Sequence, residues 1–175
     1  MESTTQQQQT GEIQTYVLND LTNIPEPQVP YLSEIWNWQG DTSVLPYKWV
    51  EVLNAVAGQG EVYDTKYLKA NFLQSKSFDP DAFFFITYRS HAIGLCLAWP
   101  STDNQTFEIK HLSSVPSKRN QGVEEALISL VLSYIKSKGG NKAIVRIGDE
   151  KHIQEYQREV VVPILTDKFG FQSQE

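Results

Sequence analysis

Cysteine is all but missing from this chain of 175 residues: Cys96 is its only thiol. No disulfide can therefore close within it, and a single thiol fits a reducing compartment. Flanked by Gly94-Leu95 and Leu97-Ala98-Trp99, Cys96 reads as a buried strand residue. Its neighbours supply neither the base nor the positive charge that a nucleophilic thiolate needs. Long apolar runs are missing too, and nothing approaches the ~20 residues that cross a bilayer. Met1-Glu2-Ser3-Thr4-Thr5 followed by four glutamines has neither the basic start nor the apolar centre of a secretory signal. A cytoplasmic location is the expectation. Positive charge is short: 15 Lys and Arg against 21 Asp and Glu leave a net charge of −6 and a pI near 5.1. A chain that tracks phosphates needs a basic surface, so neither nucleic acid nor a membrane is expected as a partner.

What is present is a core. With 40% hydrophobic residues the chain is long enough for one compact domain and short for two. Residues 1–11, rich in Gln, are expected to be a disordered tail, and residues 12–175 a single domain. Ile13 to Leu18 alternates as a first strand. Pro25, Pro27 and Pro30 then forbid regular structure. A short helix is expected from Tyr31 to Trp38, with Leu32, Ile35 and Trp36 toward the core and Gly40-Asp41 closing it. Pro46 opens a helix that ends at Gly58. Asp64 or Thr65 caps another, through Leu73. Phe83-Phe84-Phe85-Ile86 is continuous rather than alternating, the mark of a strand covered on both faces. Arg89-Ser90-His91 turns it into a strand from Ile93 to Trp99, and Phe107 to Ser114 forms the next.

The chain is organised around the stretch from Glu108 to Gly140. It reads as strand, basic turn and helix: Val123, Leu127, Leu130, Val131 and Tyr134 recur at helical spacing, and Gly139-Gly140 ends the run. Lys118, Arg119, Asn120, Gln121 and Gly122 supply positive charge, amide donors and a residue able to turn left-handed. At a helix start, where backbone N–H groups are unpaired, that composition suits an anion such as a pyrophosphate. Beyond it come a short strand from Ala143 to Ile147, a helix from Ile153 to Leu165 that Pro163 should kink or restart, and a last strand from Phe169 to Gln172. The order implies an α/β (α+β) fold: a mixed, largely antiparallel central sheet flanked by helices. Four tryptophans, at 36, 38, 49 and 99, read mostly as cover for that sheet. Trp36 and Trp38 cannot both point inward from one helix.

Strand Glu108-Ile109-Lys110-His111-Leu112, Pro116 and Arg119-Asn120-Gln121-Gly122 together resemble the acetyl-CoA-binding motif of GNAT-type N-acetyltransferases, in which an Arg/Gln-x-x-Gly-x-Gly/Ala turn opens a helix onto the CoA pyrophosphate. Phe169-Gly170-Phe171 resembles that family's closing aromatic-Gly-Phe, and the hairpin of Phe83–Tyr88 with Ala92–Trp99 its central strands; the resemblance covers residues 78–173. It implies acetyl-CoA as cosubstrate, gripped by Lys118, Arg119, Asn120, Gln121, Gly122, Val123 and Glu124. It also implies a thioester carbonyl polarised from the strand at Leu112, Ser113, Ser114 and Val115, and a small-molecule or peptide amine as acceptor. Glu108 stands where many relatives place the carboxylate base; equally, it reads as an exposed strand residue opposite Lys110. His111 is a second base candidate, facing away from Glu108 by strand alternation.

Two residues depart from the family pattern. Glu124 stands where the motif has a small residue. The helix dipole favours a first-turn carboxylate by roughly 0.3–1 kcal/mol, yet there it opposes a phosphate. Thr166 stands where relatives often carry the tyrosine that protonates the leaving thiolate, and Tyr156 can replace it only if the fold carries it across. Two readings follow. One is an N-acetyltransferase with an altered site. The other is a GNAT-like module that binds rather than transfers, with a protein partner at its tryptophan-bearing N-terminal half.

Overall fold

The computed structural model describes residues 12–38 and 43–174. The expected Gln-rich tail and the Gly40-Asp41 helix end lie outside them. Seven strands form one sheet: β1 (Gln14–Leu18), β2 (Ser33–Asn37), β3 (Phe83–Tyr88), β4 (His91–Pro100), β5 (Thr106–Ser114), β6 (Lys142–Ile147) and β7 (Gln172–Gln174). Their order is β2-β3-β4-β5-β6-β1-β7. Every neighbouring pair is antiparallel except β5 and β6. The parallel pair is joined by helix α3 (Val123–Ser137), as a crossover between parallel neighbours requires.

The apolar run of β3 serves two faces. Phe83 packs its ring 4.5 Å from that of Trp49 on α1 (Leu45–Ala57), while Phe84 turns toward Tyr134 on α3. Helix α1 thus covers one face and α3 the other. Pro46 sits in the first turn of α1 and Gly58 (φ 64°) closes it, a left-handed position that costs glycine nothing. α2 (Thr65–Leu68) starts at Asp64, whose carboxylate accepts the Tyr67 N–H at 2.8 Å. A π turn, Lys69–Leu73, continues it. α3 approaches β4 so closely that a Cβ on Gly94 would lie 2.4 Å from Val123 Cγ1 and 3.1 Å from Leu127 Cδ1. Glycine is what lets the helix down onto the sheet.

Of three expectations, the first and third need correction. Residues 31–38 hold strand β2, not a helix. Leu32 takes a left-handed conformation (φ 60°) that breaks any helical entry, and β3 gains an antiparallel partner from Ser33 to Asn37. Leu32, Ile35 and Trp36 are accordingly exposed rather than core, and Trp38 is the buried member of the pair. Second, the helix restarts at Pro163 as expected: the segment runs as α4 (Gln154–Tyr156), a π turn (Gln157–Val161) and α5 (Val162–Phe169). Proline falls in the first turn of α5, where its missing N–H matters least. Third, α5 reaches Phe169 and Gly170 (φ 75°) caps it, so the last strand is Gln172–Gln174 instead of 169–172. Among the described residues no helix is long and apolar enough to cross a membrane.

Candidate functional site

β5 and β6 pair only from Thr106–Lys142 to Glu108–Ile144 and then part. β5 also carries a bulge: Leu97 faces Lys110 and Leu95 faces Ser113, so two residues, His111 and Leu112, sit opposite the single Cys96. His111 absorbs the irregularity with φ 57°. Such bulges re-aim side chains, and this one overturns the alternation argument. Glu108 and His111 line the same gap between the diverging strands, together with Lys110, Arg146, Glu150 and Gln157.

Side chains fill that gap. Glu108 Oε1 lies 3.1 Å from Lys110 Nζ and Oε2 2.5 Å from Arg146 Nη1, so each carboxylate oxygen carries a cation. His111, 1% exposed, accepts the Trp49 indole N–H at Nδ1 (3.0 Å) and sets Nε2 2.7 Å from Glu150 Oε1. The indole fixes the tautomer, placing the ring proton on Nε2. The space remaining is about 10 Å³, room for one water at most.

The turn before α3 is only partly engaged: Gln121 and Gly122 border a cavity of about 470 Å³, and Arg119 with Tyr156 another of about 310 Å³. Asn120 (φ 60°) and Gly122 (φ 87°) shape it, and no side chain caps the helix start. Lys118 Nζ stands 4.0 Å over the Tyr88 ring and the Arg119 guanidinium 4.6 Å over that of Tyr156, both at cation–π distance. Gln121 reaches back to the Ser117 carbonyl. Leu112, Ser113, Ser114, Val123 and Glu124 are buried. Ser113 donates its hydroxyl to the His111 carbonyl at 2.8 Å, and the Val115 N–H is spent on Ile93 O at 2.9 Å.

Glu124 decides the character of this corner. Its side chain is fully enclosed and points back toward β5. Oε1 accepts the hydroxyls of Ser114 and, at 3.0 Å, of Tyr156. The Tyr156 oxygen in turn accepts the Ser114 N–H at 2.9 Å. Burial first, and the Glu124 carboxylate second, push the Tyr156 hydroxyl well above its ordinary pKa, so it is held as a donor. α4 does bring this tyrosine across. Thr166, the other candidate, spends its hydroxyl on the Val162 carbonyl one turn back, at 3.1 Å.

Three solved structures share this arrangement of strands and helices. A GCN5-related N-acetyltransferase from Sphaerobacter thermophilus superposes with a TM-score of 0.72 at 16% identity, over 93% of this chain and 48% of that one. The chain has the GNAT fold. A putative GNAT-family acetyltransferase from Novosphingobium aromaticivorans gives a TM-score of 0.56 at 13% identity, over 93% and 60%. A GCN5-related N-acetyltransferase from Kribbella flavida gives 0.54 at 14%, over 91% and 53%. The chain thus spans between about half and three-fifths of these proteins. No family model and no curated protein matches its sequence.

Within a GNAT fold, the parted β5 and β6 and the turn before α3 are where the resemblance places pantetheine and pyrophosphate. Part of that ground is taken: the Ser114 amide is held by Tyr156, Glu124 turns its carboxylate back onto β5, and the gap beside Glu108 admits one water, while cavities of about 470 and 310 Å³ border the turn at Gly122 and Arg119. Sequence reasoning singled out Glu124, and Tyr156 as a replacement acid, but missed Trp49, Glu150 and Gln157 as the surroundings of His111. No local motif marks them, and only the bulge and the π turn bring them in. Among the described residues no three His, Cys, Asp or Glu side chains converge to hold a metal ion.

Proposed function

We propose that this chain keeps the GNAT framework but acts by binding rather than by acetyl transfer, its acyl-CoA groove being closed by its own side chains. The observation that carries the reading is the bond set of Glu124, Tyr156 and Ser114. It spends the strand amide that would polarise a thioester and turns the first-turn carboxylate of α3 onto β5. Glu108 supports the same reading: each of its carboxylate oxygens is already held by a cation, Lys110 at one and Arg146 at the other, and a base for an amine needs an acceptor site within hydrogen-bond reach. A protein partner is the occupant this reading calls for.

The second reading, transfer from acetyl-CoA to a small-molecule or peptide amine, is favoured by one observation. Tyr156 stands at the strand edge, where a leaving thiolate would need an acid. It requires the Tyr156 side chain to swing out of the corner and Glu124 to lose both hydroxyl donors.

Calorimetric titration with acetyl-CoA, run beside thermal melts, separates the two. Ligand at a hundred times its Kd adds about 2.7 kcal/mol to a protein that binds it. The wild type is expected to show neither heat nor a Tm shift at millimolar acetyl-CoA, while Glu124→Gly combined with Tyr156→Phe gains measurable binding. Saturable binding by the wild type, with acetyl transfer to any amine of a panel, overturns the proposal.

A further inference from the structure

The two edges of the sheet are built differently. β7 is short and polar, Gln172-Ser173-Gln174, with all three residues exposed. β2 is longer and apolar at its centre, Ser33-Glu34-Ile35-Trp36-Asn37, and among the described strands it pairs only with β3. Among the described residues no strand pairs with its outer row of N–H and C=O groups, and no proline, lysine or bulge lies within it, Glu34 being its one charged residue. Of the seven large apolar side chains exposed among the described residues, six lie on it or near it; the seventh, Ile13, precedes β1. Tyr31 is 88% exposed, Tyr47 68%, Leu32 56%, Val44 49%, and Ile35 and Trp36 39% each. Lys48 of α1 lies over the Trp36 ring, 5.5 Å from its centroid, which brings Val44, the residue capping that helix one turn earlier, toward the strand; Tyr47 shares a cavity with Trp38 just beyond the strand's end.

We infer that β2 is the seam of a two-fold homodimer, pairing antiparallel with β2 of a second copy to make one continuous sheet of twice seven strands. Area is the first argument. At 150–250 Å² per aromatic side chain, the exposed fractions of the three rings leave on the order of 400 Å² uncovered, before the three aliphatic residues are added. A homodimer interface of about 800 Å² per partner, roughly 65% apolar, needs about 500 Å² of such surface.

Charge is the second argument. A two-fold axis through Ile35 sets it against its own copy and Glu34 against Trp36. Glu34 and Trp36 share one face of the strand, and the Lys48 ammonium stands over that Trp36. Each copy's only strand carboxylate therefore meets the other's ammonium, and no two like charges oppose across the seam. Closure is the third. Pairing β2 onto the polar β7 of the next molecule would generate an open fibre, whereas pairing β2 onto β2 buries like with like and stops at two.

The test uses the full chain. Sedimentation equilibrium from about 1 to 100 μM, the range where a standard-size interface commonly associates, is expected to give twice 19.9 kDa at the upper end. Ile35→Lys should return the monomer mass at every concentration with an unchanged far-ultraviolet spectrum, while Ser173→Lys on the far edge leaves the dimer intact. The register has its own readout, independent of how Ile35→Lys folds. Residues directly opposite lie about 4.5–5.5 Å apart at Cα, within disulfide reach, and the only native thiol, Cys96, is buried. Ile35→Cys should therefore form a covalent dimer on mild oxidation, and Gln172→Cys should not. A wild type that stays monomeric to 100 μM, a dimer broken by Ser173→Lys, or an Ile35→Cys chain that fails to cross-link overturns the inference.

Discussion

At the scale of single residues, the site is governed by how few groups are left to bargain with. Glu124 holds two hydroxyl donors while its Oε2 has no hydrogen-bond partner among the described residues. A buried carboxylate tolerates that only because Oε1 is doubly served. Trp49 plays the corresponding part for His111. Trp49→Phe keeps the ring against Phe83 but strands the imidazole Nδ1 as a buried acceptor, a loss of about 2 kcal/mol. Thermal unfolding should show it as a fall in Tm of roughly 4–8 °C for a chain of this size. An unchanged Tm would mean that the indole N–H is not spent on His111. Glu124 was legible as a departure from the motif, since a side chain stood where a small residue belongs. Its partners were not, because Ser114 and Tyr156 lie 10 and 32 residues away and nothing local joins them.

At the scale of elements, the strong periodicities were the readable ones. α1 and α3 declared themselves by apolar spacing, by Pro46 and by their glycine ends, and β3 by an unbroken apolar run that two helices then covered. What escaped was irregularity. The β5 bulge reverses which side chains share a face, and the π turn after α4 rotates Tyr156 and Gln157 into the core, both buried. Neither has a signature in the period of the sequence. β2 was misread for a related reason: in eight residues, apolar groups at 32, 35 and 36 fit a helix as well as an edge strand, and the deciding partner, β3, is about fifty residues downstream. Gly94 tests how tightly α3 sits on the sheet. Gly94→Ala should cost about 1–3 kcal/mol through overpacking, and Val123→Ala in the same chain should recover part of it. Simple additivity in that double-mutant cycle would contradict the contact.

At the scale of the molecule, the GNAT frame is kept: the strand order, the crossover helix and the parted β5 and β6 are all present, while their interior is filled. Three tyrosines carry the consequence for pH. Burial is the first cause that raises the hydroxyls of Tyr63, Tyr134 and Tyr156, with neighbouring carboxylates adding to it. Each titrates higher folded than unfolded, so the unfolded chain releases its protons first as pH rises. Their contribution is complete below the unfolded value near 10 and is lost above it. Denaturant unfolding should show a steep alkaline decline, and Tyr156→Phe should flatten it; an identical slope in the variant would mean that Tyr156 is not held protonated by its surroundings.

The central claim is that the Ser114 amide belongs to Tyr156 and not to a ligand, and amide hydrogen exchange at that one position tests it most directly. Exchange at Ser114 is expected to be slow in the wild type, unaltered by millimolar acetyl-CoA, and fast in Tyr156→Phe. Exchange at Ser114 as fast as at the exposed Asn120, or protection that changes when acetyl-CoA is added, would contradict it.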